Sequence, residues 1–266
     1  MLSDLSAMLQ NDALEACRNG DLSALSTILS DSSFTITNSI LFDMLQDAAF
    51  SGRDKIIRHL LELYNPNYLD DKVFRAAAAS NSIEIFNLIY TRNPACITEF
   101  YERRGTLLAI SLASVASKEF IGYLFSLGAD PNAMSNDAIS PLAYAAFRYD
   151  SPEMVGFLLQ HGAQVNGSSA LAAAAHKGYL TTAKYLLDHG ADVNDPGNYL
   201  PPSYPLHMAV KHGNVEMTTL FLACGADLEL RDGTGKTAVE IAREGNNAQI
   251  INLLEERKGS DCGYTL

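Results

Sequence analysis

The chain has 266 residues, 47% of them hydrophobic and 19% charged, with a formal net charge of −12. That apolar content suits a packed protein, and no apolar run approaches the ~18 residues needed to cross a bilayer. The acidic balance argues against wrapping nucleic acid, whose phosphates demand a basic surface.

The opening stretch MLSDLSAMLQND carries acids where a secretory leader needs bases, so the expected location is cytoplasm or nucleus. Cys17, Cys96, Cys224 and Cys262 are widely separated singles. In a reducing compartment they are expected to be small buried hydrophobes, and no metal or cofactor site is predicted.

Helical patterns then follow one another along the chain. The stretches ALEACRNG (13–20) and LQDAAFSG (45–52) each end on the Gly that closes a helix, and RDKIIRHLL (53–61) continues the second as a partner helix. FRAAAASN (74–81) repeats the form with Asn in place of Gly, between irregular turns at 64–67 and 93–96. From Thr106 the pattern sharpens. Ser140 and Tyr204 each precede a Pro suited to the first helical position, and Gly178 and Gly213 stop the helices that follow. Gly-Ala-Asp or Gly-Ala-Gln recurs at Gly128, Gly162, Gly190 and Gly225, spaced 34, 28 and 35 residues apart. Asn132, Asn166 and Asn194 stand at a fixed offset behind the first three. A short helical hairpin cannot bury its own apolar face, so such units must stack.

These residues resemble the ankyrin repeat, with its T-P-L-H-x-A-A-x-x-G first helix and its closing G-A-D-x-N. The resemblance implies an all-α solenoid of about eight stacked helix-turn-helix units with finger loops. Residues 1–104 are expected to hold degenerate repeats, 105–256 well-matched repeats ending in a polar cap, and 257–266 a flexible tail.

Three features that look like sites are read as scaffolding. His207 falls on the family's T-P-L-H position, which implies a histidine bracing neighbouring backbone. GTGKT (233–237) lacks the Gly at 230 that a phosphate loop requires, and Thr237 with Glu240 suits a helix-capping box. Asn166-Gly-Ser168 is a sequon without a secretory context.

By analogy with the family, partner contacts fall on the residues before each helix-ending Gly and on the finger tips of a concave face. That analogy assigns Arg18, Asn19, Phe50, Ser51, Ala79 and Ser80 in the N-terminal part. Further on it assigns Phe147, Arg148, His176, Lys177, Lys211 and His212, with Tyr199, Arg231 and Lys236 on fingers. Arg148, Lys177, Lys211 and Arg231 would line a basic, partly aromatic groove for a protein or peptide partner of acidic character, or a small anion. The short 28-residue unit and the proline-rich finger after it suggest a ligand notch as well. Its floor would be Ala172 and Ala173, with Tyr144 and Phe147 on one wall and Tyr199 and Tyr204 on the other.

The leading expectation is therefore a non-enzymatic, monomeric interaction scaffold. The alternatives are a small-molecule-binding or catalytic solenoid using the notch, with His176 and His212 as acid–base groups, and a subunit of a signalling or ubiquitin-ligase assembly.

Overall fold

A computed structural model describes residues 2–101, 105–135, 139–198 and 204–261. They form two compact units, Met1–Asp130 and Pro131–Leu266. Every regular element among the described residues is helical, and the one bridge, Tyr101 to Gly105, is isolated.

The first unit holds four hairpins: α1 (Leu2–Asn19) with α2 (Leu22–Leu29), α3 (Asn38–Phe50) with α4 (Asp54–Tyr64), α5 (Asp71–Ala79) with α6 (Ile83–Tyr90), and α7 (Leu107–Ala113) with α8 (Lys118–Ser126). A 3-10 turn at Pro94–Ile97 fills the irregular stretch before α7. The first helices pack in chain order, α1 on α3, α3 on α5 and α5 on α7. Their cores are alanine-rich on one helix and bulky on its partner. Ala76, Ala77 and Ala78 are buried in α5, while Ile85, Phe86 and Ile89 fill the space from α6. The Ser111 hydroxyl, fully buried, donates to the Ala78 carbonyl at 3.0 Å and so joins adjacent hairpins.

The second unit repeats the plan with α9 (Pro141–Arg148) and α10 (Pro152–Gln160), α11 (Ala170–Lys177) and α12 (Leu180–Asp188), α13 (Pro205–Lys211) and α14 (Val215–Ala223), and α15 (Ala238–Glu244) and α16 (Ala248–Asp261). Pro141, Pro152 and Pro205 all open helices, as their spacing predicts. Ser140 accepts from the Ala143 N–H at 3.0 Å, and Thr237 with Glu240 forms the expected capping box. Helix α11 packs between α9 and α13, and α13 packs on α15. The last helix runs through Asp261, into the segment 257–266 expected as a tail, and residues 262–266 lie outside the described residues. The packing division at 130/131 is a different boundary from 104/105, where the repeat pattern sharpens.

The fixed-offset asparagines are the fasteners of this unit. The Asn132 amide donates to the Gly162 carbonyl at 2.9 Å and accepts from the Gln164 N–H at 2.8 Å. Asn166 makes the same pair with Gly190 and Asp192, at 3.2 and 2.9 Å. Asn194 does so with Gly225 and Asp227, at 3.3 and 2.9 Å. One side chain thereby satisfies two backbone groups of the next unit's Gly-Ala turn, and that explains the constant offset. At the short repeat, Ser169 takes a positive φ of 64° and the loop bearing Gly197 crosses it, with the Asn198 N–H on the Ser169 hydroxyl at 3.1 Å.

Candidate functional site: a ring ladder at the ends of three helices

The ends of α9, α11 and α13 place four of the expected contact residues in one cluster. The Phe147 ring lies 5.3 Å from that of His176, and His176 lies 4.3 Å from His212. Because α11 packs between α9 and α13, the ends of the three helices lie side by side, and these rings form a ladder across three hairpins in which Phe147 and His176 hold the same helix position and His212 sits one residue further on. The Lys177 ammonium sits 5.0 Å over the Phe147 ring and 6.0 Å from that of Tyr179, within cation–π range.

Lys177, Lys211 and Arg148 are exposed, and among the described residues none of the three forms an ion pair. Burial holds the His176 pKa below its ordinary value, and the charges of His212, Lys177 and Lys211 lower it further. The ladder thus disfavours the charged form of its central imidazole while presenting cations beside it. A carboxylate placed there would meet unpaired donors and would reverse the repulsion now acting on His176.

Three features bear on the expected contacts and notch. Arg231 does not extend the basic row as a free cation: its guanidinium donates to the Gly235 carbonyl at 2.7 Å and pairs with Glu240 at 3.2 Å. Lys236, the other finger cation, is bound to Glu244 at 2.7 Å. The notch lacks an open floor, because Ala172 and Ala173 are only 3% and 5% exposed between α9 and α13. Tyr144 and Tyr204 are half-buried, and the Tyr204 ring lies 5.4 Å from His207. Tyr199 lies outside the described residues.

His207 is structural, as its position predicts. It is buried, and its Nε2–H donates to the carbonyls of Leu230 and Lys236, both at 3.1 Å. Its Nδ1 is buried with no partner among the described residues, so burial lowers its pKa. A site that sequence reasoning did not find lies next to the ladder. A cavity of about 460 Å³ is lined by Val210, Lys211, Asp232, Lys236, Ile241 and Asn247, among others, between α13 and the last hairpin. Its residues come from a first helix, a finger and a cap, and no motif joins them.

Among the described residues no group of three or more His, Cys, Asp or Glu side chains is placed to hold a metal ion. No helix there is long and apolar enough to cross a membrane.

Comparison with known proteins fits this geometry. A family model described as ankyrin repeats (3 copies) matches residues 108–197, and one described as ankyrin repeats (many copies) matches 198–242. Together they cover half of the chain. The chain belongs to the ankyrin-repeat family.

Among curated relatives, an ankyrin repeat protein of Fowlpox virus (strain NVSL), FPV031, is 34% identical over 161 residues, covering 54% of this chain and 46% of that protein. The human SH3 and multiple ankyrin repeat domains protein 2 is 23% identical over 221 residues, 78% of this chain and 12% of that one. The E3 ubiquitin-protein ligase hecd-1 of Caenorhabditis elegans is 37% identical over 92 residues, 34% of this chain and 3% of that one. The chain spans less than half the length of each. Ankyrin repeats mediate protein–protein interaction, and this chain's well-matched repeats include the three hairpins that carry the ladder.

Proposed function

We propose that this ankyrin-repeat chain is a non-enzymatic interaction module that captures an acidic segment of a partner protein on the Phe147–His176–His212 ladder. The supporting observation is the set of exposed cations around a row of tilted rings on a chain of net charge −12. Isolated cations on an acidic body attract and orient an acidic ligand, whereas a like-charged row elsewhere on the surface repels it. Arg148, Lys177 and Lys211 supply the charge, Phe147 and the two imidazoles supply flat contact area, and the adjacent cavity accepts a flanking side chain. In the larger relatives such repeats form one part of a longer protein, and this chain would likewise hold its partner for a larger assembly.

Selection of a displayed random-peptide library on the whole chain tests this reading, with Lys177→Glu/Lys211→Glu as the counter-selecting variant. Peptides rich in Asp and Glu are expected on the parent and lost on the variant. A pool with no acidic enrichment, or one retained by the variant, contradicts it.

A further inference from the structure

The cavity of about 460 Å³ beside the ladder lies wholly within the second unit, and part of its lining is apolar. Val210 of α13 and Ala242 of α15 line it while only 4% and 2% exposed, together with the half-buried Ile241. These two helices open the last two hairpins and pack on each other. Asp232, Thr234 and Lys236 line the cavity from the finger that leads into α15.

The polar side chains of the lining are largely engaged with one another. The Lys236 ammonium pairs with Glu244 at 2.7 Å, tying the finger to the last turn of α15. Asp232 Oδ1 accepts from the Thr234 N–H at 2.8 Å, the Thr234 hydroxyl at 2.7 Å and the Lys236 N–H at 3.1 Å. Asn247 Oδ1 accepts from the Ile250 N–H at 3.2 Å. Lys211 differs: it is exposed and forms no ion pair among the described residues. With Lys211 and Lys236 set against Asp232 and Glu244, the lining carries no net charge.

Lys211 also joins the cavity to the ladder. Its charge acts on His176, while the next residue, His212, puts its ring 4.3 Å from that of His176. Gly213 then returns to the cavity lining. Three consecutive residues thus serve both surfaces. An extended chain advances about 3.5 Å per residue, so a segment whose carboxylate reaches Lys211 brings its next side chains to the cavity mouth.

We propose that this cavity selects a large apolar side chain of the partner, standing one or two residues from the carboxylate that meets Lys211. The proposal rests on the ladder being the site of the acidic segment, and it adds the class of residue recognised beside the acid. A carboxylate inside the cavity would face Asp232 and Glu244, and an ammonium or guanidinium would face Lys211 and Lys236. Either would have to displace partners that the lining already has in order to recover its own hydration. An apolar side chain needs no such partner. It gains by covering Val210, Ile241 and Ala242, and the paired charges around them stay at the wet rim.

The test uses the whole chain and a series of labelled Asp- and Glu-rich peptides in which one guest residue, Leu, Arg or Ser, is moved through successive positions. Leu at one position, or at two neighbouring ones, is expected to tighten binding by about tenfold over Ser at the same place. Ile241→Ser should remove most of that gain and leave the Ser-guest peptides bound as before, which also shows that the variant is folded. Should the variant not fold, the guest series on the parent chain still decides. Acidic peptides that bind equally well with Leu and Ser at every position overturn the cavity's role and leave the ladder standing. A larger gain from Arg than from Leu, or a Leu gain that survives Ile241→Ser, overturns it too. Failure of every acidic peptide, whatever its guest, defeats the ladder and the cavity's role together.

Discussion

The imidazoles of His176 and His212 lie 4.3 Å apart with their planes tilted 57°, each on the last turn or cap of its own first helix. Burial first, and then the neighbouring His212, Lys177 and Lys211, make protonation of His176 less favourable in the free protein. An acidic partner supplies the missing counter-charge, so binding is linked to proton uptake. Affinity for an Asp- and Glu-rich peptide is therefore expected to rise several-fold, by roughly a factor of three to ten, as pH falls from 7.5 to 5.5. The His176→Gln variant is expected to flatten that dependence. Fluorescence anisotropy across the pH range checks it, and a flat profile for the parent protein contradicts it.

The same depressed pKa has the opposite sign for stability. With His176 and His207 both lowered from an ordinary value of 6.5, the unfolded chain takes up protons first on acidification. The stability these groups contribute is full above that value and is lost as pH falls through it. Urea midpoints measured between pH 7.5 and 5 are expected to drop, and replacing His207 should remove part of the drop.

Charge reversal of Lys177 and Lys211 should weaken an acidic peptide by about tenfold or more, mainly through slower association, and added salt should shrink the difference. Phe147→Ala removes the ring beneath Lys177 and should weaken the same peptide by about two- to fivefold at an exposed site of this kind. Stopped-flow association rates at two ionic strengths check both. Arg231→Ala serves as the contrast: its guanidinium is engaged by Gly235 and Glu240, so peptide affinity should stay unchanged.

His207→Ala leaves the Leu230 and Lys236 carbonyls without their shared donor. The expected loss is about 1–3 kcal/mol, read as a lower denaturant midpoint. Hydrogen exchange should localise the loosening to the finger at 230–236, between the last two hairpins.

Gly197→Ala probes the crossing over the short repeat. A Cβ there would stand 1.9 Å from the Ser169 hydroxyl and 2.7 Å from the Ser169 Cα, at a φ of 65°. Because the obstacle includes backbone, a side-chain shift alone cannot relieve it, and a loss of about 1–3 kcal/mol is expected in thermal unfolding. Gly190→Ala meets nothing within 4 Å and carries only the cost of its positive φ, so it should be milder.

Much of this architecture was legible because it depends on short-range chemistry repeated in register. The Pro141, Pro152 and Pro205 openings, the Thr237–Glu240 capping box and the period of Gly-Ala turns each need only a few neighbouring residues. The constant offset of Asn132, Asn166 and Asn194 was visible too, although the clamp it forms with the next turn is a tertiary fact. The candidate site was legible only in part. Stacking sets the ends of α9, α11 and α13 side by side, so Phe147 and His176 at one helix position and Lys177 and His212 at the next fall in one cluster. The pairing of Arg231 with Glu240 depends on where a finger folds relative to its own hairpin, which no pattern encodes. The burial of Ala172 and Ala173 follows from how closely α9, α11 and α13 approach.

The most direct test of the proposed function is an NMR titration of the whole chain with an Asp- and Glu-rich peptide, followed at the imidazole resonances. The His176 and His212 signals are both expected to shift as peptide is added, with His176 moving toward the protonated state, while His207 stays still. Binding that leaves both ladder histidines unmoved would contradict the assignment of this surface.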